Sequence, residues 1–149
     1  MIDMPVMSIL LNGSPSKAFN PSKGLRQGDP LSPFLFILAA DRLGRIIKDK
    51  VQSGQLQGLR LWGNDLPLTH QQFVDDVMLY GQATLKEAKQ LMGTLTEFTK
   101  ASGTEISKEK SEIYFFNTQV SSQAFLERTM GFRVGKFPTK YLGILLSDQ

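Results

Sequence analysis

Two aspartates side by side, Asp75 and Asp76, stand between Phe73-Val74 and the apolar run Val77-Met78-Leu79-Tyr80. Paired charge inside an apolar stretch is costly to bury and needs compensation. Successive side chains of a strand point to opposite faces, so neighbouring carboxylates serve one site only if the backbone turns between them. The pattern therefore predicts strand, tight turn and strand over residues 66–80, with the tip at Val74-Asp75-Asp76-Val77. A divalent cation is the simplest compensation, because Mg²⁺ takes carboxylate oxygens and keeps its remaining positions for water and phosphates. Alone, an Asp-Asp pair most often marks a solvated turn; the apolar flanks weigh against that here.

A second stretch lies upstream: Gly24-Leu25-Arg26-Gln27-Gly28-Asp29-Pro30-Leu31-Ser32-Pro33. Arg26 and Gln27 offer forked and amide donors, and Gly28 allows close approach of a backbone or base. The exposed N–H groups of a following helix favour phosphate. An ordinary loop with Asp29 and Ser32 as local caps explains the same spacing equally well. Lys108, Lys110 and Ser111 fall in a later turn, where a lysine can reach a triphosphate but most are simply solvated. Tyr141-Leu142-Gly143 reads as a hairpin that could hold a nucleic-acid end or, more plainly, as part of a core strand over residues 140–146.

The remaining pattern fills in an α+β chain. Residues 6–11 read as a strand turning at Asn12-Gly13, a strong hairpin signal. Ser32-Pro33 opens a helix whose apolar positions are Leu35, Leu38, Ala39, Leu43, Ile46 and Ile47. A strand over 59–62, a turn over 63–65 and a short strand near Ile106 are predicted. Thr84-Leu85-Lys86-Glu87 is a capping box for a helix facing inward through Leu85, Ala88, Leu91, Met92, Leu95 and Phe98, with Gly103 as its stop. An aromatic strand over 113–116 and a helix over 122–130, closed by Gly131, follow. The expected architecture is an antiparallel sheet packed on two main helices.

With 149 residues, the chain reads as one domain able to bury a core without staples. The absence of cysteine excludes disulfides and thiolate chemistry and favours an intracellular setting. One histidine, His70, excludes a histidine-rich metal cage. No apolar run approaches the ~20 residues of a membrane span. Residues 1–50 carry seven Lys/Arg against four Asp/Glu, a basic flank suited to a polyanion, although on charge counts alone a solvated surface is the better explanation.

In order and in kind, the ten-residue loop motif, Phe73-Val74-Asp75-Asp76, Lys110-Ser111 and Tyr141-Leu142-Gly143 resemble the reverse transcriptases of non-LTR, LINE-type retrotransposons, most closely the plant type. The likeness covers nearly the whole chain. It implies a polymerase palm in which Asp75 and Asp76 hold two Mg²⁺ ions, with Mn²⁺ as the alternative metal. Arg26, Gln27, Gly28 and Lys110 would line the template and incoming nucleotide, and Tyr141, Leu142 and Gly143 would grip the primer. Implied partners are an RNA template, a DNA primer and deoxynucleoside triphosphates.

Two departures are local: Val74 where the family usually has Ala, and Ser107 where it usually has Asn. A third is chemical. The family uses a further metal-binding aspartate on a strand before the loop motif, and Asp3 is the only acid before Asp29. The resemblance thus implies a partial palm over residues 1–149, without fingers or the first aspartate strand, and inactive alone. A non-catalytic nucleic-acid-binding remnant of a retroelement is the competing expectation.

Overall fold

Turn chemistry sets the first pair of elements. Asn12 and Gly13 both take positive φ, 48° and 81°, the loop of a type I′ hairpin. They join β1 (Leu10–Leu11) to β2 (Ser14–Pro15). Backbone bonds between Met7 and Phe19, 2.8 and 2.9 Å, continue the pairing beyond the strands. The structure is a computed structural model that describes residues 6–21, 24, 26–60 and 66–147. It divides into two units, residues 1–41 and 42–149.

Helix α1 (Ser32–Gln52) begins in the first unit and ends in the second. Its apolar residues divide accordingly. Leu43, Ile46 and Ile47 are buried, whereas Phe34 and Leu38 are 66% and 67% exposed. The expectation that Leu38 faces the core is thus corrected, because the core forms around the C-terminal half of the helix. Ser32 is also no acceptor cap: its hydroxyl donates backward to the Arg26 carbonyl at 2.7 Å.

In the second unit the core is Leu43, Ile47, Leu56 and Leu91, with Val51, Leu79, Phe98 and Met130 packed on it. The chain leaves α1 through Gly54 at φ 71°, and Gln55 and Leu56 N–H both donate to the Lys50 carbonyl. Helix α2 (Leu85–Ser102) opens on Thr84, whose hydroxyl accepts from Glu87 N–H, and closes on left-handed Gly103. The reciprocal half of the capping box is absent. Glu87 is 3% exposed, and its carboxylate instead accepts from Gln57 and Gly58 N–H at 2.9 Å each. The buried face of α2 therefore runs through Glu87, Ala88, Leu91 and Thr94, and Leu85 lies largely outside it. Thr94 is buried at no polar cost because its hydroxyl donates to the Gln90 carbonyl.

Two antiparallel hairpins belong to this unit: β3 (His70–Phe73) with β4 (Asp76–Leu79), and β7 (Thr139–Tyr141) with β8 (Ile144–Leu146). Between them β5 (Glu112–Ile113) and β6 (Arg133–Val134) pair in parallel, connected through helix α3 (Val120–Met130), which ends at left-handed Gly131. The chain is α+β, as expected, but the single antiparallel sheet on two helices is not found among the described residues. Four separate two-stranded pairs, one of them parallel, accompany three helices. A parallel pair needs a crossover, which α3 supplies and local alternation cannot reveal. The strand expected near Ile106 is coil, and the aromatic strand is shortened to Glu112–Ile113. The strand and turn expected over 59–65 lie partly outside the described residues; Leu59 pairs with Leu68 in an isolated bridge.

Candidate metal and nucleic-acid site

The register of β3 and β4 sets Phe73 opposite Asp76, leaving Val74 and Asp75 as a two-residue turn. The tip lies one residue earlier than the alternation suggested. Asp75 occupies the turn itself and Asp76 begins the return strand, so both carboxylates ride on one hairpin end. Val74 takes φ 51°, a conformation strained for a β-branched residue. What looked like a mild exchange in sequence is a backbone matter in the structure.

Both aspartates are exposed, and so are Phe73 and Val74. The premise that burial forces a counter-charge is therefore corrected. The donor set still suits a hard cation: two adjacent carboxylates, with no hydrogen bond or ion pair from either to another described residue. No group of three or more His, Cys, Asp or Glu residues among the described residues is arranged to hold a metal. Two exposed carboxylates on one turn are the donor type that Mg²⁺ takes, and they could supply only part of its shell.

The β7–β8 hairpin turns through Leu142 and Gly143, both at positive φ, 51° and 82°. Residues 140–146 are therefore a hairpin rather than a continuous strand. Tyr80 is the residue that follows β4. Burial, and then the neighbouring Tyr141 hydroxyl, push the Tyr80 phenol above its ordinary value. Tyr80 donates to Gln71 Oε1 at 2.6 Å. The Tyr141 hydroxyl is buried without a partner among the described residues.

Thr139, at the base of that hairpin, is bound to the Tyr114 hydroxyl at 2.9 Å. Tyr114 donates to Glu112, which also pairs with Arg133 at 2.8 Å. The Glu112 carboxylate holds the Tyr114 phenol above its usual value, with Thr139 acting the opposite way. Since the single Tyr114 proton goes to Glu112, the Thr139 hydroxyl is the donor to Tyr114. Sequence reasoning missed this cluster; the aromatic run at 113–116 was its only signal.

Lys110 is exposed in the turn after α2, where its N–H donates to the Ser107 carbonyl and Ser111 closes the same turn through its hydroxyl. Arg26, Gln27 and Gly28 belong to the first unit. Their loop is ordered from within: Asp29 Oδ1 accepts from Leu31 N–H at 2.9 Å, and Gly28 takes φ 84°. This leaves Arg26 and Gln27 exposed. No helix among the described residues is long and apolar enough to cross a membrane.

The family model for reverse transcriptase (RNA-dependent DNA polymerase) matches residues 2–146, and the chain belongs to that family. Among curated relatives, it is 43% identical over 67 residues to an uncharacterized mitochondrial protein of Arabidopsis thaliana, covering 45% of this chain and 55% of that one. It is 29% identical over 142 residues to the retrovirus-related Pol polyprotein from the type-2 retrotransposable element R2DM of Drosophila melanogaster. That match covers 89% of this chain and 13% of the polyprotein. The chain thus spans about half of one relative and a small part of the other. A retrotransposon relative and a plant relative both agree with the likeness read from the motifs.

Proposed function

We propose that this chain supplies the metal-binding part of the palm of an RNA-directed DNA polymerase from a non-LTR retroelement. Asp75 and Asp76 hold Mg²⁺ or Mn²⁺ at the hairpin tip, facing the 3′ end of a DNA primer on an RNA template. A metal bound by Asp75 and Asp76 would supply activation of the primer hydroxyl and stabilisation of charge on the departing pyrophosphate. Arg26, Gln27 and Gly28 contact template and incoming deoxynucleoside triphosphate, Lys110 approaches its phosphates, and Tyr141, Leu142 and Gly143 hold the primer end. The observation that carries the reading is the β3–β4 turn, which presents two consecutive, otherwise uncommitted carboxylates on one exposed hairpin end.

Two carboxylates are one short of what the family uses, so residues 1–149 form a partial palm with little or no polymerase activity alone. Primer extension on an RNA template with Mg²⁺ and deoxynucleotides tests this. The 149 residues should give little or no product, and a longer active polypeptide containing them should lose activity on the order of a hundredfold or more with Asp75→Asn. Robust product from the 149 residues alone would overturn the partial-palm reading. Hybrid binding that falls steeply with salt, with an Asp75→Asn variant fully active in the longer protein, would instead mark a nucleic-acid-binding role without metal chemistry at this hairpin.

A further inference from the structure

The β7–β8 hairpin has three cross-strand pairs and a two-residue turn, too little to hold its own shape in water. Its fixed point is at the base. Thr139, opposite Leu146 in the ladder, donates to the Tyr114 hydroxyl at 2.9 Å. Tyr114 cannot drift, because its own proton is taken by Glu112 and that carboxylate is held by Arg133. Its ring also packs over Gly135, where a Cβ would lie 2.5 Å from Cζ. On the adjoining side Phe137 lies against both Tyr114 and Phe116, with ring centroids 5.1 and 4.5 Å apart. Besides the short chain link of residues 135–138, the Tyr114 phenol thereby ties the parallel β5–β6 pair to the foot of the hairpin.

We infer that Tyr114 is a positioning residue that sets the Tyr141–Gly143 hairpin for the primer, acting through Thr139. This rests on the proposed role of that hairpin, and it adds a residue that touches neither nucleic acid nor metal. Tyr114→Phe keeps the ring and its packing and removes only the hydroxyl. In the full chain, amide exchange at Tyr141 and Ile144 should accelerate about tenfold, a shift equivalent to one broken hydrogen bond, while protection in α2 stays unchanged.

Equilibrium binding of a DNA primer annealed to an RNA template should weaken about fivefold, with binding of a deoxynucleoside triphosphate and Mg²⁺ unaltered. Thr139→Val should reproduce both effects, and adding it to Tyr114→Phe should change nothing further. Unchanged exchange in β7–β8, equal loss of protection in α2, or additive effects of the two substitutions would each overturn the inference. Wild-type chain that fails to bind the duplex would remove the proposed function, while the exchange data would still judge the coupling itself.

Discussion

The two hairpins of the second unit have loops of equal length, and each puts a bulky residue at φ 51° in the first turn position, Val74 in one and Leu142 in the other. They part at the second position. Gly143 takes φ 82°, as a type I′ turn requires, whereas Asp75 carries a side chain and stays out of the positive-φ region. The hairpin with glycine is a turn and little else. The one without it displays a carboxylate at its tip and leaves its strain on Val74. A turn that carries a side chain at its second position forgoes the residue that would make it easiest to form.

Their footings differ as well. The carboxylate hairpin follows the Leu59–Leu68 bridge, and the chain entering that bridge is gripped by buried Glu87 through Gln57 and Gly58 N–H. The other hairpin hangs on the hydroxyl pair of Tyr114 and Thr139. The largest effect should come from removing the first of these anchors. Glu87→Ala leaves two amide donors without their acceptor and should cost about 3 kcal/mol in urea unfolding. A cost below about 1 kcal/mol would make the two footings equivalent.

Gly58→Ala should come next, at about 2 kcal/mol by the same measurement. A Cβ there meets the Leu68 carbonyl at 2.7 Å and the residue sits at φ 65°. Val74→Gly tests the tip and should raise stability by about 0.5 kcal/mol, since relief of strain slightly exceeds the added freedom of the unfolded chain. Leu142→Gly should gain less, because leucine is not branched at Cβ. Reversal of that order would break the contrast drawn between the turns.

The smallest effect concerns His70, opposite Leu79 in the β3–β4 ladder. Burial lowers its pKa from 6.5, so folding favours the neutral ring. Its contribution is present above the unfolded value and is lost as pH falls through the lower folded value. Amide protection at Leu79 should decline modestly below pH 6.5, and His70→Gln should flatten that slope.

Local chemistry made much of this legible from residues alone. Asn12-Gly13, Thr84, Gly103 and Gly131 act where their conformational preferences say they must, and they fix the ends of a hairpin and two helices. Asp75 and Asp76 could be placed on a turn because neighbouring charges on a straight strand diverge. The misplacement by one residue arose because strand register is decided by cross-strand partners, not by the alternation within one strand. Glu87 looked like half of a capping box, but two backbone donors across the fold, Gln57 and buried Gly58, offered its carboxylate more than one amide at its own helix end. The β5–β6 pairing was hidden for the same reason: α3 brings those strands together over a long separation.

The uncovered front of α1 carries a practical consequence for handling the polypeptide. Phe34, Ile37 and Leu38 sit within little more than one helical turn and are each more than half exposed, a greasy stripe in contact with water. Sulfate or other salting-out agents strengthen such contacts. The isolated chain should therefore scatter more light as salt and concentration rise, and it should brighten environment-sensitive dyes even when fully folded.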